Sequence, residues 1–172
     1  MMLSLVFFAY LILPSPQFPQ PLSDSPQSEE PGDVIDLANK RAYFTDQTRP
    51  DITQHYQLQF RILSLPFFTP IRLNYPPEEA AWHIFPNPKS SYLEEYVFPL
   101  RESIFVNGYQ PGPKEDKIAF EGRPYVTKVT VRYKQSSVFT RLLIGSTVVL
   151  STFVLLILWK SWFSRLINII KS

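Results

Sequence analysis

The strongest constraint on this chain is a run of 18 uncharged residues, positions 142–159, which reads LLIGSTVVLSTFVLLILW. A helix of that length spans about 27 Å, close to the roughly 30 Å hydrocarbon core of a bilayer. Trp159 and Trp162 stand where interfacial aromatic residues are found, and core helices of soluble proteins seldom lack charge for so long. The run therefore predicts a transmembrane helix over 138–160, with the lipid bilayer as the first expected partner.

The residues after this run are basic and apolar, and all 15 acidic residues of the chain lie at or before Glu121. Residues 161–172 predict either a short amphipathic helix along the lipid headgroups or a frayed extension of the spanning helix. Because the basic residues surround an apolar helix, we expect anionic lipid and no nucleic acid as their partner. The residues predicted at the membrane interface are Arg141, Trp159, Lys160, Trp162, Arg165 and Lys171.

Two segments precede the predicted domain. Residues 1–13 are apolar, too short to span a bilayer and of the size of a signal-peptide core, but they lack a preceding basic residue. We interpret them as an uncleaved anchor, shortened if the start codon is misassigned. Residues 14–32 contain six prolines and four serines, which predicts a disordered, polyproline-like linker.

Residues 33–135 are the only candidate for a folded domain. Alternating apolar and polar residues predict strands, and apolar spacings of three and four predict helices. The predicted strands cover 38–45, 71–75 and 102–106, the last ending at Asn107-Gly108. Two further predicted strands, 117–121 and 125–133, form a hairpin that turns at 122–124, and the second of them alternates valines with polar residues. The first predicted helix runs from Arg49 to Ile62. It starts at Thr48 to Asp51, which resemble a capping box with Pro50 in the first turn, and its apolar stripe consists of Ile52, Tyr56, Phe60 and Leu63. The second predicted helix runs from Pro76 to about Phe85. The expected class is α+β: a small antiparallel sheet with two helices on one side, a C-terminal transmembrane helix and an N-terminal hydrophobic segment.

Four segments carry a resemblance to known sequences: RAYFTDQTRPDITQHYQLQF, IRLNYPPEEA, FPLRESIFVNGYQP and IAFEGRPYVTKVTVRY. They resemble a family of uncharacterised small membrane proteins from candidate-phylum bacteria. The resemblance covers residues 41–133 and the helix after them. It implies a bacterial membrane setting, and it assigns no activity and no site residues.

The only histidines each follow a carboxylate by four residues on a predicted helix: Asp51 with His55, and Glu79 with His83. If these helices packed side by side, the four side chains could form a metal site. The alternative is that each pair is a local surface interaction worth a few tenths of a kcal/mol, on the order of other helical pairs. We favour that alternative because no recognised metal-ligand spacing is present.

The sequence shows no motif typical of an enzyme. It has no cysteine, no nucleophile elbow, no P-loop and no dinucleotide-binding motif. We expect no cofactor and interpret the domain as a non-catalytic binding or scaffolding domain, whose partner is an unknown protein or envelope polymer. The alternative is a membrane-associated, metal-dependent hydrolase that uses His55 and His83.

The expected location is the cytoplasmic membrane of a bacterium, with the domain on the extracytoplasmic side. Basic residues flank the spanning helix on both sides, so their count does not decide the orientation. An apolar N-terminal segment followed by a long loop is an arrangement that exports the loop.

Overall fold

A computed structural model describes residues 2–36, 38–62, 69–84, 89–112 and 117–171, with side chains described as far as Ile167. The chain divides into two compact units. Residues Pro14–Gln135 form the folded unit, and Met1–Leu13 together with Ser136–Ser172 form the helical unit.

The described elements include a run of five consecutive strands, an order typical of an α+β protein. The helices are α1 (Met2–Ile12), α2 (Arg49–Gln59), α3 (Ala80–His83, preceded by a 3₁₀ turn at Pro77–Glu79) and α4 (Val138–Lys171). The strands are β1 (Lys40–Thr45), β2 (Ile71–Tyr75), β3 (Tyr92–Phe98), β4 (Glu102–Tyr109), β5 (Ile118–Phe120), β6 (Arg123–Tyr125) and β7 (Thr127–Gln135).

Five strands form one antiparallel sheet in the order β1-β7-β4-β3-β2. Strands β5 and β6 form a separate hairpin, whose turn residues Glu121 and Gly122 both have positive φ, 50° and 78°. Two successive residues with positive φ match the twist of a two-residue hairpin, and glycine accepts that conformation without strain. The α+β class predicted from the sequence is confirmed.

The two helices of the folded unit pack on opposite faces of the sheet, although we expected both on one side. On the α2 face, the hydroxyl of Tyr96 donates to the carbonyl of Thr53 in α2 at 2.8 Å. On the α3 face, Ala80 packs with Leu93 and Phe105. Tyr96 and Leu93 lie three positions apart on one strand, and successive side chains of a strand point to opposite faces. The face on which a helix packs is set by long-range contacts, which local periodicity does not encode.

Helix α2 begins at Arg49 as predicted and ends at Gln59. Thr48 makes no side-chain cap to the backbone, and its hydroxyl instead donates to the carboxylate of Asp51. The buried face of the helix includes Ile52 and Tyr56, as its apolar spacing predicts. Two further expectations, Leu63 on the apolar side and a second helix reaching Phe85, fall outside the described residues.

The strand predictions have three errors. The hairpin predicted to turn at 122–124 turns at Glu121 and Gly122, and its first strand, β5, pairs with β6 and not with β7. Strand β4 continues through Asn107 and Gly108 to Tyr109, where we expected it to end, and β3 is absent from the expected elements. Gly108 lies inside β4 and is not a turn residue. A Cβ built there would meet the ring of Tyr92 on β3, so a larger residue does not fit. A glycine inside a strand often marks such a close approach.

Residues 14–32, which we call the N-terminal strap, belong to the folded unit. The amide of Ser28 donates to Ala42 at 2.8 Å and that of Phe44 donates to Pro26 at 3.0 Å, so the strap pairs with the outer edge of β1. Nearer the start of the strap, the carbonyl of Pro16 accepts a hydrogen bond from the hydroxyl of Tyr133 at 2.9 Å. The structure thus differs from the expected disordered linker: backbone bonds to an open strand edge do not require the strap to have an apolar core of its own.

The helical unit consists of α1 and α4. Gly145 of α4 is buried against Leu11 and lies opposite Phe7 of α1, since a Cβ built there would come within 3.3 Å of the Phe7 ring. From Leu150 to Phe163 the apolar side chains of α4 are exposed; Leu155 and Leu158, for example, are 64% and 58% exposed. Helix α4 is long and apolar enough to cross a membrane.

Helix α4 also continues without a break to Lys171, so residues 161–171 extend it and do not form a separate helix. Of the predicted interface residues, Trp159 and Trp162 are exposed and lie 6.1 Å apart between ring centroids. Arg141 is buried, and its Nε donates to the hydroxyl of Ser136 at 3.2 Å. Lys160 and Arg165 are exposed, whereas the side chain of Lys171 is outside the described part.

Candidate functional site

The structure does not bring the two predicted histidine pairs together. His55 lies on α2, where its Nε2 is 2.9 Å from the carbonyl oxygen of Gln20. His83 lies on α3, where its Nδ1 is 3.0 Å from the carbonyl oxygen of Glu79 and its ring stacks on Tyr75. The two helices lie on opposite faces of the sheet, and layers pack about 10 Å from a sheet on each side, so the imidazoles cannot share a metal ion with ligand bonds of about 2 Å.

The carboxylates of these pairs are engaged in other ways or lie apart. Asp51 accepts a hydrogen bond from Thr48, and Glu79 belongs to the 3₁₀ turn before α3. Within the described ranges, no group of three or more His, Asp or Glu residues is arranged to hold a metal ion. The shared metal site of the hydrolase hypothesis is therefore not formed.

The most developed concave surface is a pocket of about 520 Å³ on the α3 face, which we call the lysine pocket. Its floor consists of side chains from the three neighbouring strands β1, β7 and β4. The register pairs Asn107 with Thr130, and it pairs Lys128 with both Tyr109 and Phe44. All five side chains line the pocket.

Three other parts of the folded unit supply the walls. Gly32 belongs to the strap, Ile84 follows α3, and Ile118 and Ala119 belong to the β5-β6 hairpin. The hairpin is held over the sheet because Ile118 packs with Phe44 and Tyr125 in a small apolar cluster. Distant segments of the chain therefore meet at this pocket.

Four lysines and two carboxylates line the described pocket, which gives it a net formal charge of +2. The Nζ of Lys128 lies 2.6 Å from oxygens of both Asp33 and Glu30. Burial lowers the pKa of Lys128, but the two carboxylates outweigh burial and raise it, so this lysine stays charged. Asp33 and Glu30 in turn both form their ion pair with Lys128 of the same chain.

Lys40 is the buried member of the four. Its Nζ donates to the carbonyl oxygen of Gly32 at 2.6 Å, and burial lowers its pKa despite the nearby carboxylate of Asp33. Its main role is to hold the strap against β1. Lys40 and Lys128 are thus both committed to contacts within the protein.

Lys89 and Lys117 differ from them, because neither forms an ion pair with any described residue. Both are exposed, and the Nζ of Lys89 lies 5.9 Å from the ring centroid of Tyr109. Two buried residues, Asn107 and Thr130, also line the pocket, and the side-chain oxygen of Asn107 accepts a hydrogen bond from Ser90. The pocket thus combines two available cations with an aromatic face and hydrogen-bonding groups.

This arrangement offers groups that can bind an anionic ligand. Its cations can neutralise carboxylate or phosphate groups, the Tyr109 ring offers a surface for stacking, and Asn107 and Thr130 can recognise hydroxyl groups. Neither histidine lines the pocket, and its described lining contains no pairing of a nucleophile with a base.

Sequence reasoning missed this pocket. Its lining residues extend from Glu30 to Thr130, and the four lysines lie in four separate segments. One signal was available: β7 alternates Lys128 and Thr130 with Val129 and Val131, which marks one polar face of that strand. The register that brings Asn107 beside Thr130 is a tertiary feature.

Comparison with known proteins adds no assignment. No protein-family model matches this chain, and neither the curated proteins nor the solved structures contain a significant match. The resemblance to membrane proteins of candidate-phylum bacteria thus remains an expectation from the sequence.

Proposed function

We propose that this chain is a membrane-anchored, non-catalytic binding protein that holds an acidic segment of an envelope polymer in the lysine pocket. The observation that carries the proposal is the pair of pocket lysines, Lys89 and Lys117, that have no carboxylate partner in the described chain. A pocket of about 520 Å³ is within the range of small-ligand sites, about 300–1,000 Å³. It can accept a few sugar units.

An acidic glycan fits the chemistry of the pocket better than a neutral one. The two lysines match carboxylate or phosphate groups, and Tyr109 offers a ring on which a sugar can stack. Asn107 and Thr130 supply the hydrogen-bonding groups that sugar hydroxyls need. A protein partner with an acidic peptide segment is the second candidate. Such a segment has the negative charge of an acidic glycan but lacks its hydroxyl groups.

The proposed location follows from the sequence and from α4. Helix α4 would cross the cytoplasmic membrane of a bacterium and leave the folded unit on the extracytoplasmic side, where envelope polymers lie. The support is the exposed apolar surface of α4 and the order of apolar segments along the chain.

The test is binding by the full-length protein in nanodiscs of phosphatidylcholine, whose zwitterionic headgroups carry no net charge. Isothermal titration with an oligogalacturonate should show binding that weakens as salt is raised, since exposed charge pairs are screened. A neutral oligosaccharide of equal length should bind more weakly. The double variant Lys89→Gln/Lys117→Gln should lose at least tenfold in affinity.

Lys134→Gln is the matched control. Lys134 is also exposed and also lies over an aromatic ring, 5.1 Å from the centroid of Phe105, but it does not line the pocket. It should bind like the unsubstituted protein. Equal losses in both variants, or stronger binding of a polyglutamate peptide than of the acidic sugar, would argue against the proposed ligand.

A further inference from the structure

The two edges of the five-stranded sheet differ in how they are covered. The outer edge of β1 is paired with the strap through Pro26 and Ser28. Strand β2, at the other edge, pairs with β3, and no described residue bonds to its outer side. An open edge presents unpaired amides and carbonyls to any strand that meets it.

Strand β2 also lacks the usual features that keep such an edge from pairing. It contains no proline and no bulge, and its register with β3 is unbroken from Ile71 to Tyr75. Its one charged residue, Arg72, is held by the carboxylate of Glu94 at 2.6 Å on the α2 face. On the α3 face, Ile71 and Leu73 are 53% and 40% exposed. Exposed apolar residues on an unprotected edge indicate an interaction surface.

The order of residues in β2 is symmetric in polarity about its central residue. If two copies pair antiparallel with Leu73 opposite Leu73, Arg72 faces Asn74 of the second copy. Ile71 then faces Tyr75 of the second copy, so polar residues meet polar residues and apolar residues meet apolar ones. No pair of like charges is opposed, and the arrangement has the two-fold symmetry of most homodimers.

A second observation supports an interface here. Helix α3 covers one end of β2, because His83 stacks on Tyr75 at 5.1 Å between ring centroids. Its neighbour Trp82 is 86% exposed. Tryptophan is enriched at the centres of protein interfaces and is seldom left so exposed in a monomer.

We propose that β2 is the interface of a symmetric dimer, in which the five-stranded sheets of two copies join into one continuous antiparallel sheet. The occupant of the edge is a second copy of this chain, because β2 pairs with itself without opposing like charges or setting polar residues against apolar ones. The dimer is independent of the lysine pocket. Anchoring both copies in one membrane raises their effective concentration and favours the pairing.

Cysteine cross-linking tests the geometry, since the native chain has no cysteine. In the full-length protein in nanodiscs, Leu73→Cys places two thiols on the symmetry axis and should form a disulfide-linked dimer under mild oxidation. Leu58→Cys is the matched control, because Leu58 is similarly exposed, at 49%, but lies on α2. Cross-linking at both positions to the same extent would indicate random collision and overturn the proposal, as would none at Leu73→Cys.

A second pair of variants tests the association itself. Leu73→Lys places like charges opposite each other at the axis, and a lysine on an exposed edge is compatible with folding. Light scattering in detergent should show a dimer for the unsubstituted protein and for Leu58→Lys, and loss of the dimer for Leu73→Lys. A monomeric unsubstituted protein, or a protein that captures an unrelated extended peptide at β2 while staying monomeric, would overturn the self-association.

Discussion

At the scale of single residues, Glu94 is a fully buried charge of the folded unit. Its side chain is fully buried on β3, where the guanidinium groups of Arg49 and Arg72 lie 2.9 Å and 2.6 Å from its oxygens. The hydroxyl oxygen of Tyr96, which donates to Thr53, lies 3.2 Å from the same carboxylate. A buried carboxylate is stable only with such partners, so this cluster joins α2 and β2 to the middle of the α2 face.

Glu94 predicts a loss of stability in acid. Burial raises its pKa, but the hydrogen bonds and charges of Arg72 and Arg49 outweigh burial and hold the pKa below its ordinary value of 4.5. A group whose pKa is lower in the folded state stabilises the protein above its unfolded pKa. The free energy of unfolding should therefore fall as the pH drops below 4.5 toward the folded pKa.

Denaturant titrations at several pH values measure this effect. Glu94→Gln should lower the free energy of unfolding at pH 7 by about 2–3 kcal/mol and flatten the acid dependence. Glu78→Gln, at an exposed glutamate, should change neither. An unchanged acid dependence in Glu94→Gln would show that other carboxylates control acid unfolding.

Gly108 gives a second prediction at this scale. Gly108→Ala should destabilise the folded unit by about 1–3 kcal/mol, because the added methyl group overlaps the ring of Tyr92. Thermal unfolding of the single variants and of the double variant Gly108→Ala/Tyr92→Leu measures the coupling. In the Tyr92→Leu background, the alanine should cost much less. Additive effects would mean that the ring does not explain the glycine.

At the scale of elements, the strap shows how a sequence without a core of its own can be ordered. We expect slow hydrogen exchange at the amide of Ser28, which bonds to β1, and fast exchange at the exposed Ser23. Amide exchange followed by NMR resolves the two positions. Equally fast exchange at both amides would indicate that residues 14–32 form the disordered linker that their composition predicts.

Helix α4 gives the second prediction for an element. The full-length protein should stay in the membrane fraction after carbonate washing, because its exposed apolar surface needs a hydrocarbon environment. Deletion of residues 142–172 should release most of it, since the 11 residues of α1 are too short to span a bilayer alone. Fractionation and immunoblotting measure both. Recovery of the full-length protein in the wash would contradict the anchor.

At the scale of the whole molecule, the proposed orientation predicts an extracytoplasmic folded unit. Ser23→Cys introduces the only thiol of the chain at an exposed position of that unit. An impermeant maleimide should label it in intact cells. A cysteine at Ser172, on the other side of α4, is the control and should react only after permeabilisation. The reverse pattern would place the folded unit in the cytoplasm.

The sequence by itself determined the elements whose residues are neighbours along the chain. The uncharged run predicted α4, Pro50 and the spacing of Ile52 and Tyr56 predicted α2, and alternation predicted β7. β2 matched its predicted bounds, 71–75. These signals are local because helix and strand periodicity, charge and proline geometry act within a few residues.

Only the tertiary structure decided the features that join distant segments. It placed α2 and α3 on opposite faces and so separated His55 from His83; it also paired the strap with β1. It assembled the lysine pocket from the strap, the sheet and the hairpin, and left Lys89 and Lys117 without a described ion pair. The physical reason is that strand register and the face on which a helix packs are set by long-range contacts, whose free energies depend on residues up to about a hundred positions apart and leave no local period in the sequence.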